Sequence, residues 1–149
     1  MSKSKAQVVA EQTELANKVL ALVKKWQPRM QIPEWDIFIE TGCNCAPVNG
    51  MSISWERSYL RAVIHLGWEL PQEEPEFEFI VVHELAHLVT AELTSMSMRF
   101  SAALKKMVGT VAYKEIDSTL HQHKEEATER IARMVWDAYP AKRRKEQGQ

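Results

Sequence analysis

Cysteine is nearly absent from this chain of 149 residues: there are two, Cys43 and Cys45. Two thiols cannot build a disulfide framework, and their spacing is awkward for a bridge within the pair. No second cysteine pair stands elsewhere to complete a thiolate zinc site. They read as two reduced thiols in a loop. Glycine (5 residues) and proline (6) are too scarce for a collagenous or low-complexity chain. No apolar run approaches the roughly 18 residues that a membrane span needs. The start, Met1-Ser2-Lys3-Ser4-Lys5, leads into Ala6, Gln7 and Glu11 rather than an apolar block. No secretory signal is therefore expected, and a cytoplasmic location is. An excess of charge of either sign is missing too, since the formal net charge is -1. That balance gives no global case for binding nucleic acid or a membrane. Nothing signals an oligomeric state.

What is present is ordinary for a globular protein: 45% hydrophobic and 26% charged residues, enough to bury a core without staples. One domain is expected over residues 1–140. A basic, disordered tail is expected over residues 141–149, where Lys142, Arg143, Arg144 and Lys145 read as a solvated terminus.

Along the chain the periodicity predicts an α+β fold. Residues 5–26 read as a helix, with Val8, Leu15, Val19, Leu22 and Trp26 on one stripe and Pro28 as the stop. Residues 35–40, 51–55 and 60–66 read as three strands in an antiparallel or mixed sheet, with a turn near Arg57-Ser58. In the third, Leu60, Ala62, Ile64 and Leu66 alternate with Arg61, Val63 and His65, which predicts one buried face. His65 reads as a partly buried strand histidine. Pro71, Pro75 and the acidic residues around them signal a helix start, and no Gly or Pro interrupts residues 77–94. Further helices are expected over about 98–111 and 120–139. Met96, Met98 and Met107 are expected to pack in the core.

The chemistry concentrates in His83-Glu84-Leu85-Ala86-His87. Two histidines four apart on a helix point the same way, one turn apart, and can hold one ion. Glu84 is offset enough to miss that ion, yet near enough to act as general base on its water. Ile80, Val81, Val82, Leu85, Ala86, Leu88 and Val89 make the flanks uncharged. Polar groups in such a helix are costly unless something satisfies them, and a zinc ion would.

A catalytic zinc usually takes a third protein ligand. Residues 88–94 lack the Gly and His of the extended metzincin pattern, which excludes that subclass. The last helix offers Glu125, Glu126 and Glu129. Glu126, Arg130, Arg133 and Asp137 form a polar stripe, the mark of a solvated face. Glu125 shares its face with Glu129, Ala132 and Trp136, so Glu125 is the favoured ligand, with Glu129 as a group that orients a motif histidine. His121 and His123, expected just before that helix, are rival ligands. His121, His123, Tyr59 and Tyr113 are candidates to stabilise an oxyanion.

Residues 81–88, followed by Glu125-Glu126-Ala127-Thr128-Glu129-Arg130-Ile131-Ala132, resemble small zincin-like metallopeptidases, many of them encoded by phages and prophages. The pattern also looks like a minimal gluzincin, the group typified by thermolysin. There a helix with HExxH is followed by a helix with a Glu ligand and an acidic residue four positions later, the spacing of Glu125 and Glu129. The resemblance covers the two helices and is only architectural elsewhere. SprT-like proteins carry a third His followed by Gly, a pair this chain lacks. The resemblance implies an N-terminal helix, a small sheet, an active-site helix and C-terminal helices. It also implies hydrolysis of a peptide or protein substrate, with zinc on His83, His87 and Glu125 and with Glu84 as base. The 60–66 strand would line the cleft and take the substrate as an extra strand. Two alternatives are a catalytically silent zinc-binding interaction module and a non-peptidase hydrolase with the same zinc–water chemistry.

Overall fold

The computed structural model describes residues 5–41, 50–67, 70, 73–108 and 110–139, with backbone alone at 5, 6 and 93. Cys43, Cys45 and the tail 141–149 lie outside the described residues. The described elements make an α+β protein: α1 (Lys5–Trp26), β1 (Asp36–Thr41), β2 (Met51–Glu56), β3 (Arg61–Leu66), α2 (Glu76–Val89), α3 (Ala91–Lys105) and α4 (Thr110–Ala138). A short 3-10 turn, Arg57–Tyr59, joins β2 to β3. The chain's internal contacts fall into two compact units, Met1–Leu85 and Ala86–Gln149. No helix among the described residues is long and apolar enough to cross a membrane.

In the first unit, α1 spans the residues that its periodicity predicts. Its buried line is Val19, Val23 and Trp26, while Leu15 and Leu22 are half-buried, so the inward stripe is rotated by about one residue from the expected one. Beyond Pro28, the Gln27 side chain donates to the carbonyls of Ile32 (3.1 Å) and Trp35 (2.6 Å), which fixes the path from α1 into β1. The sheet is mixed, in the order β1-β3-β2: β1 runs parallel to β3 and β2 antiparallel to it. Ala62, Ile64 and Leu66 are buried, as the alternation of β3 requires.

The place of β3 corrects one expectation. It is the central strand, paired on both sides, so its N–H and C=O groups are taken and no peptide can join it as an extra strand. The edges of the sheet are β1 and β2.

Glu78, in the first turn of α2, is buried and accepts a hydrogen bond from Trp26 Nε1 at 2.5 Å. Lys25 Nζ lies 2.8 Å from the same oxygen. A carboxylate suits this end of the helix, and its two partners compensate its loss of water.

The second unit departs most from the sequence expectations. The run without Gly or Pro does not make one helix to residue 94: α2 stops at Val89 and α3 starts at Ala91. Thr90 turns the chain there, with its hydroxyl within reach of the carbonyls of Ala86 (3.3 Å) and His87 (3.2 Å). A threonine hydroxyl that bonds back onto the preceding turn competes with helix continuation. α4 starts at Thr110, ten residues before the expected Leu120, and His121 and His123 lie in its middle rather than at its start.

The methionines are a second correction. Met96, Met98 and Met107 are exposed at 62%, 68% and 80%, and do not pack in the core. Ala91, Thr94 and Ser101 are the buried residues of α3, so its inward side is built from small and polar groups. Ser101 donates to Asp117 Oδ1 on α4 at 2.5 Å and lies 3.3 Å from the Tyr113 hydroxyl. The pairing of α3 with α4 thus rests on polar contacts, and the larger apolar side chains stay outside.

Trp26→Phe leaves a smaller aromatic ring and removes the donor to Glu78. Urea unfolding of this variant should show a loss of about 1–3 kcal/mol, the cost of leaving a buried charged group short of a partner. A loss below about 0.5 kcal/mol would mean that Lys25 alone satisfies Glu78.

Candidate metal centre

Helix α2 carries the two histidines. Val81, Val82, Leu85, Ala86 and Leu88 are all buried, so the helix is apolar around nearly its whole girth. Glu84 and His87 are buried within it, and His83 is half-buried. The helix runs unbroken from Glu76 to Val89, so His83 and His87 stand one turn apart as i and i+4 neighbours.

Glu125 comes from α4. Its Oε2 lies 3.5 Å from His87 Nε2, and its Oε1 lies 3.5 Å from Lys124 Nζ. One ligand atom from each of His83, His87 and Glu125 lies within 4.8 Å of the others, so the three could hold a metal ion. Two imidazole nitrogens and one carboxylate oxygen are a donor set that zinc accepts. Ligand atoms about 2.1 Å from a tetrahedral ion stand about 3.4 Å apart. The His87–Glu125 pair already has that separation, and the third donor needs only a small closure.

Behind His87 is a group that the sequence reading passed over. Thr128 is fully buried, and its Oγ1 lies 3.5 Å from His87 Nδ1 and 3.4 Å from Thr90 Oγ1. The hydrogens can be placed so that each is used once. His87 Nδ1–H donates to Thr128, Thr128 donates to Thr90, and Thr90 donates to the carbonyl of Ala86 or His87. That arrangement puts the proton on Nδ1 and leaves the Nε2 lone pair facing Glu125 and the metal position. The signal was present in the sequence: Thr128 follows Glu125 by three residues and shares its helical face.

The remaining candidates separate. Glu126 is exposed, like the rest of its predicted polar stripe, Arg130, Arg133 and Asp137. The Gln122 side chain donates to it at 2.9 Å and, with His123 3.5 Å away, holds its carboxyl below the usual range. Glu126 is therefore turned away from the cluster. Glu129 is half-buried and pairs with Arg133 at 2.6 Å. His123 is exposed beside Glu126, while His121 lines a small cavity against α3. His65 is half-buried as expected, with Nδ1 2.8 Å from Glu40 and Nε2 2.8 Å from Ser54. Both of its ring nitrogens are engaged on the sheet, which excludes it as a ligand. Of the oxyanion candidates, Tyr59 is 74% exposed in the turn after β2, and Tyr113 lies beside Ser101.

His87→Ala should abolish metal uptake in a competition titration against a chromophoric chelator. Thr128→Val should weaken it about 10–100-fold, by releasing the imidazole from its fixed tautomer. Glu126→Gln should leave it unchanged. An unchanged affinity in Thr128→Val would show that the hydroxyl does not set the ring.

No protein-family model, no curated protein and no solved structure matches this chain.

Proposed function

We propose that the protein is a zinc-dependent peptidase with a minimal zincin-like fold, acting in the cytoplasm on a peptide or protein substrate. The observation that carries this reading is the grouping of His83, His87 and Glu125, with Glu84 next to the first ligand on the same helix. A structural zinc site closes its fourth position with another protein ligand, whereas a catalytic one keeps three and leaves it open. Among the described residues the donor set has three members, and the Glu84 carboxylate stands beside the first of them on the same helix.

His83, His87 and Glu125 would hold the ion, and the Thr128–Thr90 hydroxyl chain would keep His87 in the tautomer that binds it. Zinc bound there would supply Lewis acidity toward a carbonyl oxygen and lower the pKa of a coordinated water to about 7. The Glu84 carboxylate would accept the proton of the attacking water and return it to the departing amine nitrogen. Because Glu84 is buried, that proton would be held away from bulk solvent between the two transfers. Lys124, 3.5 Å from the outer oxygen of Glu125, would hold that carboxylate turned for ligation.

Two measurements on one preparation test the reading. Elemental analysis should give about one zinc per chain in the wild type and in Glu84→Gln, and none in His83→Ala. Against a mixture-based peptide library, the wild type should cleave. Glu84→Gln should lose at least about a hundredfold in rate, the usual contribution of a general base. Protein without zinc, or a Glu84→Gln variant that cleaves as fast as the wild type, would overturn the proposal. Zinc retained with no cleavage by the wild type would move the chain to the class of zinc-binding interaction modules.

A further inference from the structure

On β3 the buried residues Ala62, Ile64 and Leu66 leave Val63 and His65 on the opposite face of the sheet. The register sets their neighbours there. His65 stands opposite Glu40 on β1 and Ser52 on β2, and Val63 stands opposite Phe38 and Ser54. All six residues belong to the first unit, and none is a member of the metal cluster.

Two contacts put the polar side chains of this face in order. His65 Nδ1 lies 2.8 Å from Glu40 Oε2, and His65 Nε2 lies 2.8 Å from Ser54 Oγ. A carboxylate has no hydrogen to give, so Nδ1 carries the proton and donates it. In the neutral ring Nε2 is then an acceptor, and its donor is the Ser54 hydroxyl. A hydroxyl on Nε2 and a carboxylate on Nδ1 of one imidazole is the arrangement that turns a serine into a nucleophile. Ser54 is exposed, so its oxygen is open to a ligand, while the His65 side chain is only 14% exposed and is held between the two strands.

We propose that Ser54 is an acyl-accepting nucleophile, with His65 as its general base and Glu40 as the residue that positions His65. The substrate class is an activated ester of an apolar acid. Phe38 and Val63 form an apolar rung that ends at Ser54, and Phe38 is 45% exposed, so an acyl chain has a surface to lie on. Because Ser54 is exposed, water stabilises the charge that develops on the carbonyl oxygen. That suits a leaving group that is a weak base, such as a phenolate, and not an amide nitrogen. Ser54 Oγ bonds to the acyl carbon while its proton passes to His65 Nε2. The bond from that carbon to the leaving oxygen breaks, and His65 gives the proton to that oxygen. The products are acyl-Ser54 and a phenol. Water, deprotonated by the same nitrogen, then releases the carboxylic acid and restores the serine hydroxyl. The site uses no metal and stands apart from the peptidase reading above.

The test uses an alkyl fluorophosphonate, which bonds to an activated serine with loss of fluoride, and reads the adduct by intact mass and peptide mapping. The wild type should take up one equivalent, on Ser54, with chelator present as without it, and Ser54→Ala should take up none. His65→Gln should slow adduct formation at least about a hundredfold. Glu40→Gln should slow it at least about tenfold, and Glu40→Asp should recover part of that loss, as a carboxylate acting through the imidazole requires. p-Nitrophenyl hexanoate should acylate Ser54 faster than p-nitrophenyl acetate, since only the longer chain reaches along Val63 and Phe38. A wild type that is not labelled at Ser54 would overturn the proposal and leave the metal centre untouched. Labelling as fast in His65→Gln as in the wild type would do the same, because the hydrogen bonds would then serve only to join the strands.

Discussion

The constraint on which the site depends is the burial of Glu84 and His87 among the aliphatic residues of the second half of α2. A carboxylate and an imidazole placed among Val81, Val82, Leu85, Ala86 and Leu88 lose their water and must recover its hydrogen bonds from the protein or from a bound ion. For His87 the means are visible on both ring nitrogens. Nδ1 meets the Thr128 hydroxyl, and Nε2 faces the Glu125 carboxylate. A ring that donates from Nδ1 to Thr128 keeps one hydrogen bond on burial and leaves the Nε2 lone pair beside Glu125, where an ion would satisfy both. The atoms that accommodate the buried ring are thus also those that would orient it toward an ion.

Thr90 links this local chemistry to the course of the chain. Its hydroxyl closes the last turn of α2 and stands 3.4 Å from Thr128. The break it makes between α2 and α3 redirects the chain directly after the second histidine, and α3 then pairs with α4 through Ser101, Asp117 and Tyr113. A helix pair built on hydroxyls and a carboxylate packs less completely than one built on leucine. The cavity beside Thr94 is the consequence. Ser101 and Asp117, which make the pairing, also line it.

The first unit solves its own problem in a different way. Alternation on β3 sends Ala62, Ile64 and Leu66 into the core, and their neighbours Arg61, Val63 and His65 to the outer face. There Glu40, His65 and Ser54 form a line of hydrogen bonds across all three strands. That line ties both edge strands to the central one through side chains as well as backbone.

The sequence by itself determined whatever depends on local period and near neighbours. The extent of α1, the three strands with the turn between β2 and β3, the helix under the histidines and the solvated stripe of α4 were all legible, because 3.6- and 2-residue repeats need no knowledge of distant contacts. His83, Glu84 and His87 were legible for the same reason, since four residues on a helix fix two side chains together. The choice of Glu125 over Glu126 also came from period alone. Tertiary structure decided the rest. Alternation cannot tell a central strand from an edge strand, so the pairing of β3 on both sides was hidden. No Gly or Pro marked the break at Thr90, because a hydroxyl turned back on its own helix made it. The exposed methionines and the buried threonines have one cause. α3 and α4 meet through small polar groups, and only the partner helix decides which face of α3 turns inward.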